Sequence, residues 1–398
     1  MAEWIKCKIS DIGTVVGGAT PPTKKTENYE NGNISWITPK DLSSFNGRYI
    51  EHGERNITEV GLKSCHTQLI PKNSVLFSSR APIGYVAIAA KEMCTNQGFK
   101  SIIPNENTDS LFLYYLLKYN KDKIENMGSG TTFKEVSGTI MKNIVVSVPT
   151  DKQIQVKISS FLGVIDDKIE ENEKINNNLE QQIKALYSHY FIETNNDEWE
   201  VVPLPKLIFF QEGPGIRNWQ YADEGVKFIN IRCINNGSIN TSTANKISIE
   251  EAYGKYRHFL LNPYDIVMSC SGTLGRYAIV QEDDLPLCLN TSVIRFRPAQ
   301  NKYDYSFVYG YMTSSEFLNQ QTMMANGSAQ VNFGPTHIKK ITIKEPPVEI
   351  RKQFNELTMP IINQIIYNRS ENQRLVQLRN VLLPKLMSGE LDVSNIDI

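Results

Sequence analysis

A chain of 398 residues with 40% hydrophobic content is long enough for two or three domains that each bury a core. The formal net charge of −1 excludes the bulk basic balance that marks many nucleic-acid binders, so any such contact has to be built locally. Cys7, Cys65, Cys94, Cys233, Cys270 and Cys288 show no CxxC spacing and no neighbouring His cluster. That argues against a zinc site or disulfide framework and for a reducing cytosol. The opening MAEWIKCKIS has no apolar signal core and no run approaches transmembrane length, so a soluble cytoplasmic protein is expected.

In chain order, Trp4 and ISDIGTVVGGATPPTKK read as a strand or short helix running into a Gly/Pro-rich loop. The segments ISWITPKDLS, SVLFSSRAPIGYVAIAA and GFKSIIP are short β-branched and aromatic runs between turn residues, hence strands. A helix is predicted over Ser110–Asn126; the loop MGSGTTFKEVSG and the strand NIVVSVP then close the block. Pro149 leads into a stretch where Ile154, Ile158, Phe161, Ile165, Ile169, Leu179, Ile183, Leu186 and Tyr190 recur at three- and four-residue steps. Glu, Lys, Asn and Gln fill the faces between them. This is a long helix with a narrow apolar seam, a pattern that wants a partner helix rather than a broad core. Residues 1–150 carry 17 Lys/Arg against 14 Asp/Glu, while residues 151–193 carry 5 against 8. A weakly basic block beside an acidic helix fits a binding domain beside a protein-contact segment.

The second half repeats the first. Trp199 stands for Trp4, VKFINIRCI for ISWITPKDL, and LLNPYDIVMSCSGTLGRYAI for LIPKNSVLFSSRAPIGYVAI. LCLNTSVIRFRP matches MCTNQGFKSIIP, and a helix at Tyr305–Met323 matches Ser110–Asn126. ANGSAQVNFGPTHIKKITIKEPP matches GSGTTFKEVSGTIMKNIVVSVP. The seam returns 196 positions on: Ile158, Ile165, Ile169, Leu179 and Leu186 become Phe354, Ile361, Ile365, Leu375 and Leu382. The polar pair Asn172/Asn176 becomes Asn368/Asn372. The period is too long for a solenoid.

The expected division is therefore a first domain (1–150), a first spacer helix (151–195), a second domain (196–347), a second spacer helix (348–390) and a tail (391–398). The fold class is α+β, two tandem-duplicated mixed α/β domains separated by two long helices that pair as an antiparallel coiled coil with a pseudo-two-fold. Each helix, about 40 residues, spans roughly 60 Å. Two similar but non-identical heads on such a spacer suit a linear target read at two separated sites. The seam asparagines either fix the register of the pair or face solvent.

No motif for chemistry emerges. NPYD at Asn262–Asp265 lacks the second proline of an adenine-methyltransferase [ND]PP[YF] motif and aligns with plain PKNS in the first copy. GGATPPTKK at Gly17–Lys25 lacks the GxxxxGK[ST] spacing, and the five His are scattered. An enzyme is not expected in this chain.

The segment LFSSRAPIGYVAI, the NQGF turn, GSGTTFKEVSGTIMKNIVVSVP, the ending LLPKLMSGEL and the full-length order of the blocks resemble the specificity subunit of Type I restriction–modification systems. The resemblance implies two target-recognition domains, each reading one half of a bipartite, asymmetric site in double-stranded DNA. It implies helices that act as a ruler and dock two methyltransferase subunits, with restriction subunits joining in the full complex. Cofactors are expected only on those partners: S-adenosylmethionine for adenine-N6 methylation, ATP and magnesium for restriction. The competing readings are a non-enzymatic coiled-coil scaffold with two protein-binding heads and, more remotely, an enzyme with a hidden cleft.

Loops that recur in both copies and carry donors are the candidates for DNA contact, since Lys and Arg neutralise phosphates while Asn, Gln and Arg read base edges. In the first domain they are Lys24, Lys25, Lys40, Ser78, Ser79, Arg80, Asn96, Gln97, Ser129, Thr131, Thr132 and Lys134. In the second they are Arg217, Asn218, Arg232, Ser271, Thr273, Arg276, Asn290, Thr291, Ser328, Gln330 and Asn332. Asn96 and Asn290 each start a strand, which also suits a purely structural role. No metal ligands are assigned.

Overall fold

The β-branched runs form strands, and their hydrogen-bond registers repeat between the two halves of the chain. The computed structural model describes residues 2–43, 45–129, 134–194, 196–235, 237–272, 274–325, 333–394 and 396. By packing the chain falls into two units, residues 1–170 with 374–398 and residues 171–373. Each unit joins one globular domain to a part of both long helices, so the division cuts across the chain-order blocks.

In the first unit a five-stranded sheet has the order Gly13–Gly17, Lys100–Pro104, Val75–Phe77, Val86–Ala89, Tyr49–Ile50. Its pairs are antiparallel apart from the last, which is parallel. A three-stranded sheet, Arg55–Ile57, Ile34–Ile37, Cys94–Thr95, stands beside it in sequence, and Trp4–Lys8 pairs with Val145–Pro149 to bring the ends of the domain together. In the second unit Ile208–Glu212, Val293–Pro298, Ile266–Ser269 and Tyr277–Ile279 form the corresponding antiparallel sheet. Val201–Pro203 pairs with Thr342–Lys344 as the terminal strands do in the first. The copies agree bond by bond. Ser78 N–H donates to Tyr85 O at 2.9 Å, and Ser269 N–H to Arg276 O at 2.8 Å. Ser79 N–H donates to Gly98 O at 2.7 Å, and Cys270 N–H to Ser292 O at 3.0 Å.

Each helix predicted after these strands is two. Ser110–Tyr119, capped by Asp109 accepting from Phe112 N–H at 2.7 Å, is followed by Lys121–Asn126. The break falls at Asn120, whose side chain donates back to Leu116 O at 2.9 Å. In the second copy Tyr305–Thr313 gives way to Ser315–Ala325 at Ser314, whose backbone is extended. Its hydroxyl accepts from Phe317 N–H at 3.2 Å. Short polar side chains offer the backbone local bonds that an uninterrupted helix cannot use. Apolar periodicity does not register that competition.

The long helices run over Lys152–Tyr187 and Val348–Met387; the first closes in a π-turn at Ser188–Ile192. Asp151 accepts from Gln153 N–H at 2.8 Å and so fixes the start of the first. Within each unit the two helical segments lie together and antiparallel. In the first unit Arg379 Nη1 is 2.6 Å from Asp166 Oδ1. In the second Asn172 Nδ2 donates to Asn372 Oδ1 at 2.9 Å and to Glu371 Oε2 at 2.6 Å, and Asn368 Nδ2 donates to Asn176 Oδ1 at 2.8 Å. Asn172, Asn176 and Asn368 are buried. The asparagines therefore face one another, not solvent.

Of the seam residues, Ile158, Ile165, Phe354 and Ile365 are buried, while Ile169, Leu179, Leu186, Ile361, Leu375 and Leu382 are half-buried. The seam does more than zip two helices. Ile158 and Leu162 share a core with Leu386, Met387 and residues 112–117 of the first domain. Ile183, Tyr187, Phe354, Ile362 and Ile365 share one with Tyr305, Phe307 and Val308 of the second. Among the described residues no helix is long and apolar enough to cross a membrane.

Candidate nucleic-acid interface

In the first domain three loops are tied at one end of the five-stranded sheet. The turn after Val75–Phe77 is held from inside: Ser78 Oγ donates to Pro82 O at 2.9 Å and accepts from Tyr85 N–H at 2.8 Å. Gly84, at φ +97°, and its counterpart Gly275, at +77°, turn the chain back where a side chain would be strained. Ser79 is bound to Gly98 of the second loop through both its N–H and its hydroxyl. Val136 N–H, from the third loop, donates to Ser79 O at 2.8 Å. Ser78 and Ser79 are fully buried, so they build the frame and present nothing outward. Asn96 also belongs to the frame, accepting from Gly98 N–H at 2.9 Å. Gly18 permits the approach of the Gly-rich loop, because a Cβ there would lie 2.1 Å from Thr95 O.

The outward side chains on this frame are Arg80, Gln97, Ser129 and Lys134. Gln97 is bonded to Thr20 of the Gly-rich loop. Lys24 and Lys25 are exposed, the latter 3.6 Å from Glu27. Lys40 is bound to Glu54 at 2.7 Å, which raises its pKa and leaves its charge already partnered. Thr131 and Thr132 lie outside the described residues.

The second domain repeats the frame with other side chains at its tips. Cys270 takes the place of Ser79, and Phe333 N–H donates to Cys270 O at 2.7 Å as Val136 does to Ser79. Asn290 accepts from Ser292 N–H at 3.0 Å and is structural like Asn96. Arg217, Asn218, Arg232, Arg276 and Thr291 are exposed and Ser271 half-buried. Thr273, Ser328, Gln330 and Asn332 lie outside the described residues.

A search for donors misses the carboxylates of these tips. Glu135 pairs through its main chain with Ser129 and binds Arg80 and Lys100. Glu212 ends the edge strand of the second domain beside Cys270, and burial raises its carboxyl pKa. Burial, with Glu212 next to it, pushes the Cys270 thiol up to about 12, so it is inert at neutral pH. A recess of about 630 Å³ in the second domain carries Arg257, His258, Arg295 and Arg297. Arg295 is consumed there by Leu260 O, His258 O, Gln211 and Asp265. Among the described residues no group of three or more His, Cys, Asp or Glu could hold a metal ion.

Two copies of one frame with different polar tips is an arrangement for recognition, and comparison with known proteins identifies it. The family of the Type I restriction modification DNA specificity domain matches residues 1–181 and again 196–379. The chain belongs to this family. It is 32% identical over 417 residues to the Type I restriction enzyme MjaIX specificity subunit of Methanocaldococcus jannaschii, covering 99% of this chain and 95% of the relative. The Type I restriction enzyme HindI specificity subunit of Haemophilus influenzae is 22% identical, with 98% and 100% covered. In fold the chain resembles the crystal structure of the Type-I restriction-modification system S subunit from M. genitalium, with a TM-score of 0.56, 16% identity, and 97% and 96% of the two chains covered. It is thus a DNA specificity subunit of a Type I system, the non-catalytic component. The reading as a protein-binding scaffold is set aside.

Proposed function

We propose that each domain reads one half of a bipartite, asymmetric site in double-stranded DNA, and that the paired helices set the gap between the halves. The helices also dock two methyltransferase subunits, which bring S-adenosylmethionine and methylate adenine N6. Restriction subunits complete the assembly and use ATP and magnesium, in the cytoplasm. The observation that carries this reading is the repeated frame with unlike tips: Arg80 and Lys100 in the first domain stand where Ser271 and Ile294 stand in the second. Equal frames give equal placement on DNA, and unlike tips give unlike sequences. Exposed Arg217, Arg232, Arg257 and Lys134 suit phosphates, which fix position without reading sequence. Docking of protein partners is supported by apolar side chains left open on the helices, among them Val164 at 64% and Tyr367 at 60% exposure.

The test is a genome-wide map of N6-methyladenine in a methylation-free host expressing this chain with its neighbouring methyltransferase subunit. A two-part motif with a fixed gap is expected. An assembled complex that places no methyl groups contradicts the proposal.

A further inference from the structure

Around Glu135 the first domain holds an ion-pair triangle whose two cations, Arg80 and Lys100, are replaced by Ser271 and Ile294 in the duplicate. Arg80 Nε lies 3.0 Å from Glu135 Oε2, and Lys100 Nζ lies 3.6 Å from Glu135 Oε1, so one carboxylate engages a cation on each oxygen. The backbone beneath is doubly fixed. Arg80 and Glu135 bridge as facing residues, and Glu135 exchanges both main-chain bonds with Ser129, at 2.9 and 3.0 Å. Lys100 reaches the triangle from within, its side chain 15% exposed, whereas that of Arg80 is 46% exposed. The inner members anchor and the outer one projects.

The atom of Arg80 that is held decides what the side chain can do. With Nε on the carboxylate, the two terminal nitrogens form a planar fork, and among the described residues nothing engages them. A guanidinium biased towards one orientation by an ion pair has less rotamer freedom to lose on binding, which lowers the cost of a directional contact. Paired donors of this kind match the O6 and N7 acceptors of guanine in the major groove, the commonest specific side-chain contact to DNA. A phosphate accepts the same fork, so the choice of a base rests on the position of Arg80, at a tip where the two copies differ. The triangle is also confined to the tips. The main-chain bonds of Ser79 and Cys270 and the strand registers put Ser271 at the place of Arg80 and Ile294 at that of Lys100, while the scaffold bonds are kept.

We infer that Arg80, oriented by Glu135 with Lys100 behind it, reads a guanine in the half-site of the first domain through O6 and N7. Arg80 is the specificity-determining residue and Glu135 a positioning residue. The inference rests on the DNA reading proposed above and adds a base and an atom pair to it.

The test maps N6-methyladenine for the complex of the full chain with its methyltransferase subunit, in wild type and in Arg80→Gln, Arg80→Lys, Glu135→Gln and Glu135→Asp variants. The wild-type motif is expected to contain an invariant guanine in one half. Arg80→Gln should lose discrimination at that position on the order of ten- to a hundredfold and leave the other half intact, which also reports that the variant chain is folded. Arg80→Lys should relax the same position, since an ammonium has no fork. Glu135→Gln should relax it less, and Glu135→Asp should recover part of the loss. Uniformly weaker methylation with an unchanged motif, and a salt slope lower by about one, would make Arg80 a phosphate contact and overturn the inference. So would an unaltered motif and rate, or methylation abolished in all four variants of an assembled complex. A wild-type complex without any two-part motif would instead remove the DNA reading itself, whatever the variants do.

Discussion

Arg48 shows how much one side chain contributes when the chain around it leaves no alternative. Its guanidinium is 5% exposed, bonded to Glu170 at 2.9 Å, to Gly163 O at 3.3 Å and to Asp167, all on the first long helix. Its own carbonyl accepts from Ile88 N–H, the bond that Gly237 O makes with Ile279 N–H in the second domain. There the arginine comes from the helix instead. Arg369 binds Glu180 at 2.6 Å, and a Cβ on Gly237 would stand 1.9 Å from its Nη2. At this equivalent place an arginine thus stands in each unit, supplied by the domain in the first and by the helix in the second. Arg48→Ala should lower the stability of the first unit by about 2–3 kcal/mol in urea unfolding, because half-buried Glu170 loses its partner. An effect under about 0.5 kcal/mol would place the fastening elsewhere. Lys118 permits a pH prediction. Burial, reinforced by the Arg379 charge, brings its pKa down to about 8 from an ordinary 10.5. Between those values the unfolded chain binds the extra proton, so this group makes stability rise with pH through that window. Subtracting the pH profile of Lys118→Met from that of the native chain should expose the rise; a flat difference would contradict it. Little of this was legible in the sequence: nothing in FNGRYIEH says that the partners of Arg48 lie more than a hundred residues on.

At the scale of elements, the long helices were the most legible part of the sequence, because apolar steps of three and four sustained over about forty residues match the period of a helix and not that of a strand. Their polar contacts were not, since periodicity sees only the apolar face. Asn172 meets Asn372 while Asn176 meets Asn368, a reciprocal exchange between equivalent positions of the two copies. Replacing Asn172 by Leu removes its donations to half-buried Glu371 and Asn372 and should cost about 1–3 kcal/mol. Where the second unit buries Ile183 and Ile362, the equivalent residues of the first are Asp166 and Arg379, with Tyr115 OH also donating to Asp166 at 2.6 Å. Asp166→Ala alone should destabilise the first unit by roughly 3 kcal/mol, because Arg379 and Tyr115 are left unpaired. The triple change Asp166→Ile, Arg379→Ile, Tyr115→Phe should be neutral or stabilising, as when buried ion pairs are replaced by packed apolar groups. Thermal unfolding of both variants checks this; a triple variant as weak as the single one would mean the ion pair has no apolar equivalent at that site. The loops divide in the same way. Their recurrence in both copies located the candidate interface, yet the inward turn of Ser78 and Ser79 and the place of Glu135 depend on bonds between segments that the sequence keeps apart.

For the whole molecule, chain order and packing order differ. Residues 374–398 belong with residues 1–170 and contribute Leu386, Met387 and Val393 to the core of the first unit. Ending the chain at Gln373 should therefore damage the first unit, at the far end of the sequence, and spare residues 171–373. Hydrogen exchange should show protection lost in residues 1–150 and kept in 201–344; the reverse pattern would contradict the division. The central claim, that two copies of one frame read two different half-sites, is tested most directly by exchange. Residues 1–150 would be replaced with the corresponding part of a relative of different motif, and adenine methylation mapped for the assembled complex. One half of the motif should change and the other half and the gap should stay. A motif that changes in both halves, or in neither, would contradict the account.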